Sequence, residues 1–371
     1  MVNALKKIDK KFLIVIGCIV FLPIVVIIFL AIIQGCSNLK TTHAKYEQKM
    51  ISAMQSYLED KDNKPTKEGQ SVTVKLSKLV DGEYIKSPEK ALGDDTCSGS
   101  VTVRKNGSTV EENKGGFLNY TVSLECENYK TNSLENSLMK DLVSVGSGLY
   151  KQGNEYVFKG DDVDNYITFF GTSYRIVSMD DDGIVKLLKA ESESSEDYWD
   201  IKYNVDTGSA TGKNIYADSE INKTLIEIYN NPKKFSEESK KHLISKDICV
   251  GSRDINDLSF TSNPECSSVL ENQVVSLLGV TDYANASLDP DCVDLNSKSC
   301  RNYNYMRKLF LDSWTYTAVS SNSYEVYYIY NGLIKHQSAN QFASYSLVIY
   351  VDGDEILSSG DGTEKSPYVI K

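Results

Sequence analysis

The chain has 371 residues and a formal net charge of −11, and it contains 41% hydrophobic residues, enough to bury a sizeable core. Residues 1–36 hold Lys6, Lys7, Lys10 and Lys11 against Asp9, or +3, so the remainder carries −11 − 3 = −14. Such an acid excess excludes a nucleic-acid binder, which needs Lys and Arg to neutralise phosphates, and it suits basic partners or divalent cations.

From Phe12 to Ile33 the chain is uncharged and almost wholly apolar. As a helix this run is about 33 Å long, sufficient to cross the ~30 Å hydrocarbon layer. The lysines before it place residues 1–11 in the cytoplasm by the positive-inside rule. Everything after residue 36 is then extracellular, on a single-pass protein of the cell membrane. Ile33-Gln34-Gly35-Cys36 loosely matches a lipobox, so lipidation of Cys36 is the alternative means of attachment. The direct partner in either case is the lipid bilayer.

Past the span, Tyr46, Met50, Met54, Tyr57 and Leu58 recur every three or four residues, which predicts a helix over Thr41 to Lys61. Pro65 and Gly69 end it. A second helix is predicted over Leu76 to Ile85. Two alternating runs, Ser100 to Lys105 and Phe117 to Cys126, predict strands around the turn signal Asn106-Gly107. Residues 131–149 read as a linker with loosely helical Leu134, Leu138 and Leu142. Beyond them the aromatic, β-branched run Tyr166 to Val177 predicts a strand, followed by the Asp181-Asp182-Gly183 turn and a strand over Ile184 to Lys189. Asn222 to Tyr229 and Ser236 to Ile244 read as helices. From Trp314 onward alternation returns through Tyr324 to Tyr330 and Ser344 to Val351. The expected class is α+β.

Six cysteines lie in the exported part: Cys97, Cys126, Cys249, Cys266, Cys292 and Cys300. In an oxidising compartment an even set reads as disulfides. Pairing sequence neighbours gives 97–126, 249–266 and 292–300, each closure contributing roughly 3 kcal/mol. No CxxC occurs and no histidine stands beside a cysteine in sequence, which argues against zinc.

The segment Leu76-Ser-Lys-Leu-Val-Asp-Gly-Glu-Tyr-Ile85, with the preceding helix, the 97–126 spacing and the two strands, resembles type IV pilins and pseudopilins across roughly residues 12–130. It departs from them where processing and assembly residues are expected: Lys11 precedes Phe12, and Ile16 replaces a glutamate. The later stretches Phe169-Phe-Gly-Thr-Ser-Tyr-Arg-Ile-Val177 and Leu277-Leu-Gly-Val-Thr-Asp-Tyr-Ala284 join Trp314 and the terminal Ser359-Gly-Asp-Gly-Thr-Glu-Lys-Ser-Pro-Tyr-Val-Ile370. Together they resemble the C-type-lectin-like fold of sulfatase-modifying-factor type, found in surface proteins of low-GC Gram-positive bacteria. Ser346-Leu347 stands where those proteins have Arg-Pro. The resemblances imply a transmembrane helix (12–33), a pilin-like helix-plus-antiparallel-sheet domain (37–130), the linker (131–149) and a C-type-lectin-like domain (150–371).

Catalytic machinery is not apparent. His43, His242 and His336 have no nucleophile or metal partner in sequence, and Cys292 and Cys300 lack the Cys- and Arg-rich surroundings of an oxidase pair. No cofactor is implied. Calcium is the one metal considered, on the loop bearing Asp289, Asp291, Asp294 and Asn296, whose oxygen ligands are of the right kind although the EF-hand order fails. Tyrosine is abundant, 24 against 11 Phe and 2 Trp, and crowds the C-terminal region. Tyrosine suits adaptable contact surfaces, so the expected ligand face is Trp314 to Gln341, with Trp314, Tyr324, Tyr327 and His336 as its contacts. The function expected is non-enzymatic binding or adhesion at the cell surface to a glycan or surface protein. The alternative is a minor pseudopilin-like component of an envelope assembly or secretion machine.

Overall fold

The apolar stripe Tyr46 to Leu58 has its physical consequence in a helix, α1, over 43–61, with Tyr46, Met50, Met54, Tyr57 and Leu58 all buried. The computed structural model describes residues 43–67, 69–106, 117–201, 212–257, 264–310 and 312–371. No helix among them is long and apolar enough to cross a membrane. The expected span Phe12 to Ile33, the residues before it, Cys18 and Cys36 lie outside the described residues.

Helix α1 lies on an antiparallel sheet of four strands in the order β1 (Ser71–Lys75), β2 (Ser98–Asn106), β3 (Phe117–Cys126), β4 (Tyr129–Lys130). Val101, Val103, Val122 and Leu124 point from this sheet into a core shared with α1 and α2 (Leu76–Asp81). The short α3 (Pro88–Leu92) follows, capped by the Ser87 side chain. Helix α2 stops well before Ile85 because Glu83 takes φ 60° and Tyr84 N–H returns to the Leu79 carbonyl, a left-handed termination. Strand β1 was not legible. Only Val72 and Val74 alternate within it, and its pairing with β2 supplies the rest.

The remainder builds around a larger core. Its main sheet has eight strands. The path runs β13 (Val275–Ser276), β18 (Val348–Asp352), β9 (Ile184–Lys189), β8 (Thr172–Asp180), β6 (Glu155–Lys159), β5 (Gly148–Gln152), with β7 (Tyr166–Phe169) on β8 and β19 (Tyr368–Ile370) parallel to β7. A five-stranded sheet is ordered β10 (Glu193–Tyr198), β17 (Phe342–Tyr345), β14 (Asp312–Ala318), β15 (Glu325–Tyr330), β16 (Leu333–Ser338). Strands β11 (Lys246–Cys249) and β12 (Val269–Gln273) form a separate ribbon. The helices α4 (Leu134–Leu138), α5 (Glu220–Asn230), α6 (Glu237–Lys241) and α7 (Val280–Asn285) are short, so the chain is α+β with sheet dominant.

Tyr166 to Val177 is a hairpin rather than one strand. Phe170 (φ 45°) and Gly171 (φ 82°) both take left-handed backbone, the mirror-image turn that matches strand twist. A phenylalanine in that position hid the turn within an aromatic run. Residues 131–149 do not hang between units. Leu134 and Leu138 are buried in the larger core, and the Leu134 and Glu135 amides donate to the carbonyls of Glu355 (2.9 Å) and Gly353 (2.7 Å).

Polar groups also join the two cores. Asn119 on β3 donates to Glu355 Oε1 at 2.7 Å, while Glu355 Oε2 meets His242 Nδ1 at 2.8 Å. Arg104 on β2 stands 3.6 Å from Asp352. All three expected disulfides are present: Cys97–Cys126, Cys249–Cys266 and Cys292–Cys300.

Candidate functional site

Alternation along β9 buries Val185 and Leu187 on one face and turns Lys186 to the other. There Lys186 sits in register with Tyr350 of β18. Opposite them, Tyr316 projects from β14 of the second sheet, its amide bonded to the Leu278 carbonyl at 3.1 Å. The space between is a cleft of about 550 Å³, opening at Gln152 and Asn154 and walled by β11, Glu265 and α7.

Gly279, just before α7, makes the close approach of the sheets possible. A β-carbon there would collide with the Tyr316 hydroxyl. Its N–H donates to Asp282 Oδ2 at 3.0 Å, and Asp282 Oδ1 accepts from the Lys186 ammonium at 2.7 Å. Both side chains of this pair are 15% exposed. Burial alone would lower the lysine's pKa, but Asp282, with Tyr350, Tyr316 and Glu155 around it, raises it well above the ordinary lysine value. Lys186 is therefore a fixed cation and a poor nucleophile.

A second ion pair forms the back wall. Arg253 Nη2 and Nε donate to Glu265 Oε2 (2.8 Å) and Oε1 (3.2 Å), and Thr281 Oγ1 donates to Glu265 Oε1 at 3.1 Å. Lys246 at the side is held by Asp180. Tyr350 shares a 3.0 Å bond with Ser276. The Tyr316 hydroxyl makes no hydrogen bond to another described residue; burial and the nearby Asp282 push its pKa well above the ordinary phenol value. The arrangement offers fixed charges of both signs, the Tyr316 hydroxyl and a rim of amides. That is equipment for binding a small polar ligand.

The sequence-predicted contacts lie elsewhere. Trp314 is 2% exposed, its indole donating to the Asp197 carbonyl at 2.8 Å and packing on Tyr328. Tyr327 is 5% exposed and its hydroxyl reaches the Asp254 carbonyl. Their inward packing corrects the expectation that these two face a ligand: a side chain already enclosed has no surface left to offer. Tyr324 is half-buried and His336 exposed, the latter bonded to Glu325 at 2.8 Å. These four do not line one concavity. The cleft residues escaped notice because Glu155, Lys186, Asp282 and Tyr316 are spread over more than 160 positions; a lone Lys between Val185 and Leu187 was the available signal.

On the acidic loop, Asp289 Oδ1 accepts from the Asp291 amide (2.9 Å) and Oδ2 from Asn302 (2.8 Å), while Asp294 Oδ1 accepts from the Asn296 amide (2.8 Å). These carboxylates close local turns. Among the described residues the grouping with metal-ligand spacing is His43, Asp94, Cys97 and Cys126, and Asp289, Asp291 and Asp294 do not converge in that way. The sulfurs of that grouping are joined in a disulfide, which leaves it no thiolate.

No protein-family model, curated protein or solved structure matches this chain.

Proposed function

We propose that this is a membrane-anchored surface protein that captures a small polar ligand in the cleft between its two larger sheets. The observation that carries the reading is the Lys186–Asp282 pair with, beside it, a Tyr316 hydroxyl that bonds no other described residue, all on the wall of a cleft of about 550 Å³. The apolar run Phe12 to Ile33 supports the anchor, and the three disulfides support an oxidising exterior. The pilin-like and C-type-lectin-like resemblances belong to the same reading. In it the α1 unit is a stalk and the cleft-bearing unit the binding head.

Non-enzymatic action is part of the proposal. Lys186 is locked as an ammonium, and none of the three histidines lines the cleft. The second reading, a pseudopilin-like assembly component, draws support from α1 packed across a four-stranded antiparallel sheet. An array of glycans and surface proteins probed with the full chain in detergent micelles tests the first reading. Binding to one ligand class, lost in Tyr316→Ala, is expected. Unaltered binding by that variant, or no binding to any class, contradicts it.

A further inference from the structure

We infer that the cleft selects a ligand bearing a primary ammonium group among hydroxyls, the chemistry of an amino sugar with an unacetylated nitrogen; this rests on the cleft being the binding site. The argument is a count of charges and their partners. Lys186 is committed to Asp282, Lys246 to Asp180, and both oxygens of Glu265 to Arg253. Two lining carboxylates remain. Glu155 makes no ion pair or side-chain hydrogen bond with another described residue, and it contributes to the field on Lys186. Asp247 uses Oδ1 to accept from the Asn272 amide at 2.9 Å and keeps Oδ2.

The walls thus hold two lysines against four carboxylates. Including Arg253 behind and Asp180 beside leaves three cations against five carboxylates, an excess of two negative charges. An anionic ligand would enter against that field. A neutral one can donate hydroxyl hydrogen bonds to Glu155 and Asp247 but leaves their charge uncompensated as it displaces their water, which costs free energy. An ammonium neutralises part of the excess and forms charge-assisted hydrogen bonds.

Two further features fit the rest of such a ligand. The ring of Tyr316 offers a face that attracts cations, and its hydroxyl bonds no other described residue. Gln152 donates to Asn285 at 3.2 Å across the mouth, with Asn154 beside them. Side-chain amides present a donor and an acceptor together, which suits vicinal hydroxyls better than alkyl chains. These amides favour an amino sugar over the amine of a lysine side chain.

The test is isothermal titration of the full-length chain in detergent micelles at low ionic strength. The probes are glucosamine, glucose, N-acetylglucosamine, glucuronate and the dipeptide glycyl-lysine. Glucosamine is expected to bind at least ~10-fold tighter than glucose or N-acetylglucosamine, with glucuronate weakest. The advantage should shrink in about 0.5 M salt. Glu155→Gln should bring glucosamine down toward glucose, while His336→Ala, remote from the cleft, should leave its affinity unchanged.

Glucose or N-acetylglucosamine binding as tightly as glucosamine overturns the charge selection while leaving the cleft a binding site. Tighter binding of glycyl-lysine overturns the sugar assignment in favour of a peptide amine. Heat from no probe, on protein that keeps its wild-type melting temperature, overturns both this inference and the reading beneath it.

Discussion

Two regions of the larger unit gather aromatic side chains, and they use them in opposite ways. In β14 and the β15–β16 hairpin, Trp314 and Tyr327 are enclosed, their polar atoms bonded to backbone carbonyls of Asp197 and Asp254. In the cleft, Tyr316 stands on the same strand as Trp314, but its hydroxyl bonds no other described residue and lies beside the Lys186–Asp282 pair. Enclosed aromatics fill volume and contribute stability through burial. Aromatics left beside charged pairs contribute a surface. Density of one residue type does not distinguish these cases; convergence of different types from separate strands does.

The contrast can be broken by stability measurements on the full chain. Trp314→Ala should be the most damaging change, at about 4 kcal/mol, because it empties a packed site with no room to collapse. If it melts within a degree of wild type and loses ligand, the aromatic face was functional after all. Lys186→Met should cost about 3 kcal/mol by leaving Asp282 unpaired in a poorly solvated wall. The double variant Lys186→Met/Asp282→Leu should recover much of that loss in chemical denaturation while remaining unable to bind.

A smaller effect separates the cleft from the junction between the two cores. Burial raises Asp352 to about 6, with Arg104, Asp354 and Glu355 facing it. A carboxylate whose folded pKa is raised holds more protons in the native state, so its stabilising protonation is lost as pH rises through about 6. His242 acts in the same direction. Burial would lower its pKa, but the bond to Glu355 raises it, and that stability also fades as pH climbs past its folded value. The unfolding free energy should therefore fall between pH 5 and pH 8 by about 1–2 kcal/mol. Asp352→Asn should flatten the slope, whereas cleft variants should leave it intact. The smallest changes belong to Tyr316→Phe and His336→Ala, each within about 0.5 kcal/mol of wild type. Only the first should alter binding.

Some of this architecture was legible in the sequence. The stripe Tyr46 to Leu58 has helical period, the β2 and β3 runs alternate around a turn signal, and cysteine neighbours sit at closable distances. Each is a local signal whose cause is local. The failures share a cause too. Strand β1 is short and gains its pairing from β2, the Phe170-Gly171 turn puts a bulky residue where glycine is expected, and the five residues of α4 dock through backbone bonds to Gly353 and Glu355. The candidate site was the least legible. Its charges come from β6, β9, β11 and α7, segments far apart in the chain, and nothing short of the tertiary fold brings them together.

The central claim is that the ligand site is the cleft and not the aromatic hairpin. Hydrogen–deuterium exchange on the full chain, with and without saturating glucosamine, tests it most directly. The account predicts slowed exchange at 246–249 and 280–285, with 324–341 unchanged. Protection confined to 324–341 would contradict it.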